Sequence, residues 1–376
     1  MLNNKPKHIL IAPLDWGLGH TARCIPVIQY LKSLGHLPIV ACNASQRSFI
    51  EETLGETEIV HLEGYNITYS HWNKWAQAGI LAQLPRIKRA IKSENKWLRK
   101  LCSERQINGI ISDNRYGLYN CGVSSVILTH QLQVQTGFGA IANRTVQKLH
   151  YKYLDRFDAA WVADNEGIPN LGGNLSHSSR LPRHSRYVGL LSRFAAAKDE
   201  IVFTSGEGSI EDTKQPGPLL MLLSGPEPQR SVLSAMLWKQ AVHYDGVINF
   251  IEGSEHAVAP ENIPSHIHYY KRLAGSNLQP LLHAARMVIC RSGYSTIMDL
   301  VAMNKRAILI PTPGQTEQEY LGRYLHTQGA FYSATQKRFN LEVALNKASA
   351  FPFNSIPLRD HFSCYQRVIS QWLTTL

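Results

Sequence analysis

The 376-residue chain has no apolar run approaching the ~20 residues that span a bilayer, no low-complexity tract and no internal repeat. What remains is a soluble globular protein, and 44% hydrophobic with 18% charged residues fits one. Cysteine is sparse, and no C-x-x-C pair or metal-ligand spacing occurs among Cys24, Cys42, Cys102, Cys121, Cys290 and Cys364. This pattern disfavours a disulfide framework and points to free thiols in a reducing, cytoplasmic setting. The N-terminal run "HILIAPL" is too short for the core of a signal peptide and reads as a buried strand. Acidic residues are also few, 28 against 39 Lys and Arg, giving a formal charge of +11. Such a balance favours anionic partners but does not choose between nucleotide, nucleic acid and lipid. No nucleic-acid recognition motif accompanies it.

The chain does carry a regular alternation. In the first half, "HILIAPL", "LPIVACN", "EIVHLEG", "INGIISDN", "SSVILTH" and "AAWVADN" are short apolar runs separated by amphipathic segments such as "TARCIPVIQYLKSLGH". This predicts βαβ units around a parallel sheet. The pattern dissolves in the polar, Gly- and Pro-rich stretch that follows "RYVGLL", then restarts with "LLMLLSG", "GVINFIEG", "IHYYKRL", "ARMVICRSG" and "RAILIPTPG". The expectation is an α/β chain of two Rossmann-like, doubly wound domains, 1–192 and 193–358, facing a central cleft. The tail 359–376 is read as a closing helix. Ligands of such sheets bind at the carboxyl ends of the strands.

Four segments carry candidate chemistry. In "DWGLGHTARC", Gly17 and Gly19 make a tight turn, and His20 opens a helix whose N-terminus disfavours a protonated ring. His20 is therefore a candidate general base. Asp113, at the end of "INGIIS", is a candidate partner that would fix its tautomer; a capping role is the plain alternative. Ser224 and Gly225 end a strand where backbone N–H groups and Arg230 suit a diphosphate, although Pro226 and Pro228 lack N–H donors. The most informative stretch is "CRSGYSTIMDLVAMNKRAILIPTPGQTEQEYL". Its turn supplies Arg291, Ser292, Gly293, Ser295 and Thr296. Asp299 follows on the helix, where a carboxylate can accept both hydroxyls of a ribose. Gln318 and Glu319 are placed in the loop after the next strand, with the amide and carboxylate groups that sugar recognition needs. Leu273 and Gly19 join this donor-binding set. The ligand these groups would suit is a nucleotide sugar.

Over Cys290 to Ala330 the chain resembles the GT-B glycosyltransferases of the MurG type, family 28. The frame is Cys290-Arg291-Ser292-Gly293, Thr296, Asp299, Pro311, Gln318, Glu319 and Tyr320. The resemblance implies that the acid binds the ribose of UDP and that the paired amides bind the donor sugar. Asp299 stands where the family has Glu, and Glu319 where it has a second Gln, which leaves the sugar open between N-acetylglucosamine and another hexose. "GLGHTARCIPVIQYLKSLGH" is similar to the family's Gly-Gly-His loop, with His20 on the family histidine and Asp113 the match for its aspartate. The final helix would correspond to the one that crosses back to the first domain.

The implied activity is an inverting, metal-independent hexosyl transfer from a UDP-sugar to a hydroxyl acceptor, lipid-linked in the MurG type. There is no D-x-D motif in a suitable place, so no metal or other cofactor is expected. A UDP-sugar 2-epimerase of the same fold and a non-catalytic UDP-sugar or membrane-surface binder stay open as alternatives. Finally, Trp72, Trp75, Leu81, Leu84, Ile87 and Trp97 lie among Arg86, Lys88, Arg89 and further cations. This is either a patch for anionic lipid on the inner face of a membrane or a helix with a solvated basic face.

Overall fold

A computed structural model describes residues 5–65, 84–119, 122–134, 139–195 and 217–376. The chain divides into two compact units, Met1–Ser192 with Leu358–Leu376, and Arg193–Pro357. Most of the polar stretch that follows "RYVGLL" in sequence, 196–216, lies outside the described residues.

The first unit runs β1 (His8–Pro13), α1 (Leu18–Ser33), β2 (Leu37–Cys42), α2 (Ala44–Leu54), β3 (Glu58–His61), α3 (Leu84–Glu104), β4 (Gly109–Asp113), β5 (Ser124–Thr129), α4 (Ala140–Leu154), β6 (Ala159–Val162) and β7 (Ser185–Tyr187). Its strands are ordered β3-β2-β1-β4-β5-β6-β7 and pair in parallel throughout. Residues Ile9, Leu10, Ile11, Ile110, Ile111 and Ile127 are fully buried. Successive residues face opposite sides of a sheet, so burial of neighbours means both faces are covered, which is why these strands read as unbroken apolar runs.

The second unit runs β8 (Leu219–Leu222), α5 (Gln229–Ala241), β9 (Ile248–Ile251), β10 (Ile267–Tyr270), α6 (Gly275–Ala284), β11 (Met287–Cys290), α7 (Tyr294–Ala302), β12 (Ala307–Leu309), α8 (Thr316–Thr327), β13 (Tyr332–Ser333) and α9 (Leu341–Ser349). Its parallel order is β10-β9-β8-β11-β12-β13. In each unit the order reverses once, between β1 and β4 and between β8 and β11. In open α/β sheets, loops leaving the two strands at such a reversal diverge, and ligands bind at that carboxyl edge. Pro13 pairs with Asp113 in the first sheet and Leu222 with Cys290 in the second. The candidate residues after each strand are thereby brought side by side.

The tail helix α10 (Cys364–Leu373) packs in the first unit through Tyr365, Val368, Ile369 and Leu373. Lys7 Nζ donates to the Leu373 carbonyl at 2.6 Å, Trp372 Nε1 donates to Ser124 Oγ at 3.0 Å, and Trp372 meets Trp161 edge-on. Gly109 makes room for that ring: a Cβ there would sit 2.6 Å from it.

Helix α3 settles part of the basic aromatic segment. Ile91, Leu98 and Leu101 are buried, and Ile87 and Trp97, grouped by sequence with a lipid-facing patch, instead pack on core clusters. An amphipathic helix beside a sheet directs its apolar stripe to that sheet. Arg86, Lys88, Arg89, Lys92, Lys96, Arg99 and Lys100 are exposed. Glu94 turns inward, where Arg115 Nε and Tyr65 OH each donate to it at 2.6 Å. Trp72, Trp75 and Leu81 lie outside the described residues, and of Leu84 only the helical backbone is described.

Candidate active site

In the first unit, Gly17 (φ 85°) turns the chain out of β1 and stands at the N-cap of α1, with no side chain capping the helix. His20 falls in the first turn. Its Nδ1 is 3.0 Å from Asp113 Oδ2 at the end of the neighbouring strand. Asp113 is fully buried, while His20 keeps 15% of its side chain exposed. That exposure is what a base needs to reach a substrate.

Two further residues, not anticipated from the sequence, complete the cluster. Arg23 is 1% exposed; its Nε donates to Asp113 Oδ2 at 3.0 Å and its Nη2 to Oδ1. The same Nη2 lies 3.0 Å from His20 Nδ1, and Nη1 lies 2.8 Å from Nδ1 of buried His130. Burial would raise the Asp113 pKa, but Arg23 and His20 outweigh it and hold the carboxyl well below the usual range. His20 is shifted below an ordinary imidazole, by burial first. Asp113 opposes that shift, and Arg23 and His130 add to it. Helical spacing could have revealed Arg23, since i and i+3 share a face. His130 follows the end of β5, next to β4, and only the strand order brings it near.

In the second unit, Ser224 and Gly225 leave β8 beside Ser292 and Gly293 leaving β11. Gly225 has φ 105° and open space where a Cβ would stand. At Gly293, the N-cap of α7, a Cβ would meet only Thr296 Oγ1, at 3.9 Å. The N-cap of α7, Gly293, offers no side-chain cap, whereas at the start of α5 the Glu227 carboxylate accepts from Ser231 N at 3.3 Å. Ser295, Thr296 and Asp299 are partly exposed on α7, and Leu273 precedes α6. Asp299 Oδ2 lies 3.5 Å from Arg193 Nε, the two side chains being 13% and 11% exposed. Nothing in the run "LLSRF" marks Arg193 for this position.

Several assignments change. Arg230 is drawn into an acidic clamp: Nη1 donates to Glu252 Oε1 and to its carbonyl at 2.9 Å, and Nη2 donates to Glu227. Arg291 is 1% exposed and braces the fold through the Ile310 and Pro311 carbonyls, Gln336 Oε1 and the Gln229 carbonyl. Neither guanidinium is presented as a phosphate donor, because a buried cation must first satisfy its own hydrogen bonds. Ser292 is fully buried with its hydroxyl donated to the Gln318 carbonyl. Gln318 and Glu319 are not in a loop but in the first turn of α8. Gln318 Oε1 accepts from Thr312 N and Glu319 Oε1 from Gly314 N, both at 2.9 Å, fixing the approach to the helix. Among the described residues, no three His, Cys, Asp or Glu side chains gather to hold a metal.

Solved structures with this fold include the glycotransferase of kitacinnamycin (14% identical, TM-score 0.67, covering 98% of this chain and 100% of that one). MurG from Acinetobacter baumannii also matches (12% identical, TM-score 0.52, covering 99% and 100%). The chain therefore has the GT-B architecture of two Rossmann-like domains. More particularly, residues 259–352 match the glycosyltransferase family 28 C-terminal domain. Curated relatives include the UDP-N-acetylglucosamine–N-acetylmuramyl-(pentapeptide) pyrophosphoryl-undecaprenol N-acetylglucosamine transferases of Desulforudis audaxviator, 40% identical over 90 residues (23% of this chain), and Thermoanaerobacter sp. strain X514, 36% over 73 residues (19%). This chain spans about a fifth of their length (22% and 20%).

Proposed function

We propose that the protein is an inverting glycosyltransferase that moves a hexose from a UDP-sugar to a hydroxyl acceptor. The observation that carries the reading is the family 28 domain, with partly exposed Asp299 on α7, a helix whose N-cap is a glycine without a side-chain cap. Asp299 would accept from the ribose hydroxyls. The turns after β8 and β11, with Arg193 as the nearby cation, would hold the diphosphate. His20 Nδ1 is directed to Asp113, which leaves Nε2 for the acceptor hydroxyl. As the acceptor oxygen bonds to the anomeric carbon, that carbon's bond to the diphosphate breaks and the hydroxyl proton passes to Nε2. Asp113 stabilises the imidazolium, and UDP leaves from the face opposite the attack, inverting the centre.

The curated relatives transfer N-acetylglucosamine to a pyrophosphoryl-undecaprenol acceptor, so UDP-N-acetylglucosamine and a polyprenyl-linked sugar are the first pair to try. The exposed cations of α3 support approach to an anionic lipid surface. The test is a thermal-shift screen of nucleotides and nucleotide sugars, followed by a transfer assay with and without EDTA. UDP and its sugars should raise the melting temperature, and product should form with inverted configuration in EDTA. If no uridine nucleotide moves the melting temperature, the reading fails.

A further inference from the structure

Arg23 has no part in the reaction as written above, yet it reaches both members of the His20–Asp113 pair. A ring nitrogen carries at most one proton. With the proton on Nδ1, His20 donates to Asp113 Oδ2, its Nε2 is a free base, and the Arg23 donor 3.0 Å from Nδ1 opposes it. With Nδ1 bare, Arg23 donates into it, Nε2 carries the proton and His20 cannot act as a base. Guanidinium nitrogens only donate, so His130 Nδ1 must accept from Nη1. Cys24, whose Sγ lies 3.6 Å from Asp113 Oδ2, is held as the thiol by burial and adds no charge. The buried charges are then Arg23 and Asp113, which cancel. An imidazolium at His20 would leave one uncompensated positive charge among them.

We propose that Arg23 is a positioning residue for the His20–Asp113 pair: by gripping both oxygens of Asp113 and setting its positive charge beside the shared ring nitrogen, it keeps the His20 ring neutral and limits how strongly Asp113 can favour its protonated form. This rests on the role of His20 proposed above. It adds that the chain tunes its base with a cation at i+3 of the same helix. Removing that cation leaves Asp113 to act on His20 alone, so proton affinity at His20 rises. The base would then be blocked by protonation at pH values where the native protein works.

The test is a titration of the full chain with 15N-labelled histidine, without substrates, with His20 assigned by the loss of its signals in His20→Gln. The native ring should titrate below the ordinary imidazole range. Arg23→Gln should raise the midpoint by about one pH unit or more, a tenfold gain in proton affinity. A purely structural arginine would not move it. A folded Arg23→Gln protein with the native midpoint overturns the proposal. Should Arg23→Gln not fold, Asp113→Asn is compared with the Arg23→Gln/Asp113→Asn double variant. Losing Arg23 on that background must again raise the midpoint, and equal midpoints overturn the proposal. Because no donor is present, a native protein that transfers no sugar would remove the function proposed above and leave this result standing.

Discussion

Asp299→Asn separates a nucleotide site from a structural ion pair. The carboxylate and Arg193 are 3.5 Å apart, and each side chain is only about a tenth exposed, at 13% and 11%. Solvent therefore screens the pair little. Removing the negative charge breaks a largely buried ion pair, which costs about 3–5 kcal/mol. Asparagine keeps an acceptor oxygen, so the loss should fall toward the lower end. Ligand binding is a separate quantity. A hydrogen bond from a ribose hydroxyl to a charged acceptor contributes about 1.5–3 kcal/mol, so the Kd for UDP should rise roughly 10- to 150-fold. Calorimetry with UDP and with 2′-deoxy-UDP tells ribose recognition from general loss. The penalty should shrink for the deoxy ligand, which lacks one of the hydroxyls that the carboxylate would accept. Unchanged UDP affinity in a folded Asp299→Asn protein, or an equal penalty for both ligands, refutes the assignment.

His20→Ala should lower kcat by ~10²–10⁴-fold and leave UDP binding by calorimetry within error, since a base acts on the acceptor. His150 is buried between Tyr116 and the Gln131 carbonyl, and burial depresses its pKa to about 4. The unfolded ring takes its proton near 6.5, so it binds more protons than the folded one between those values. Stability is therefore lost as pH falls from about 6.5 to 4, by roughly 3 kcal/mol from this ring. Denaturant melts across that window should show a shallower decline in His150→Gln. Ile369→Ala removes a fully buried side chain of α10 and should cost ~2–5 kcal/mol in urea unfolding. Gly189→Ala should destabilise further than a surface change, because Gly189 has φ 75° and a Cβ there runs into the His361 carbonyl. A melting temperature equal to that of the native chain would contradict this placement.

Much of the fold was legible because parallel strands covered on both faces are apolar along their buried length, as in "ILIAP" and "MVIC", and need no partner to be recognised. Strands β7 and β13 were missed because three or two residues carry no pattern. His20 and Asp113 were legible as the residues at a helix start and a strand end, positions that the sheet order then set side by side. The turns after β8 and β11 were legible for the same reason. Arg230, Arg291, Gln318 and Ser292 have the right chemistry at the right spacing, and that alone could not assign them. Each makes a hydrogen bond inside the fold, with Glu252, Gln336, Thr312 and Gln318 respectively.

From the one-dimensional chain came the alternation of strands and helices, the two-domain plan and the short motifs at strand ends, all set by local pattern and the 2.0 and 3.6 residue periods. Packing alone decided which polar groups are free for a ligand and which are consumed by neighbours, and it alone brought Arg193 to Asp299 and Arg23 with His130 to His20. Those partners are remote in sequence, or hidden among ordinary helix residues. A buried charge takes whatever counter-charge the folded chain sets beside it.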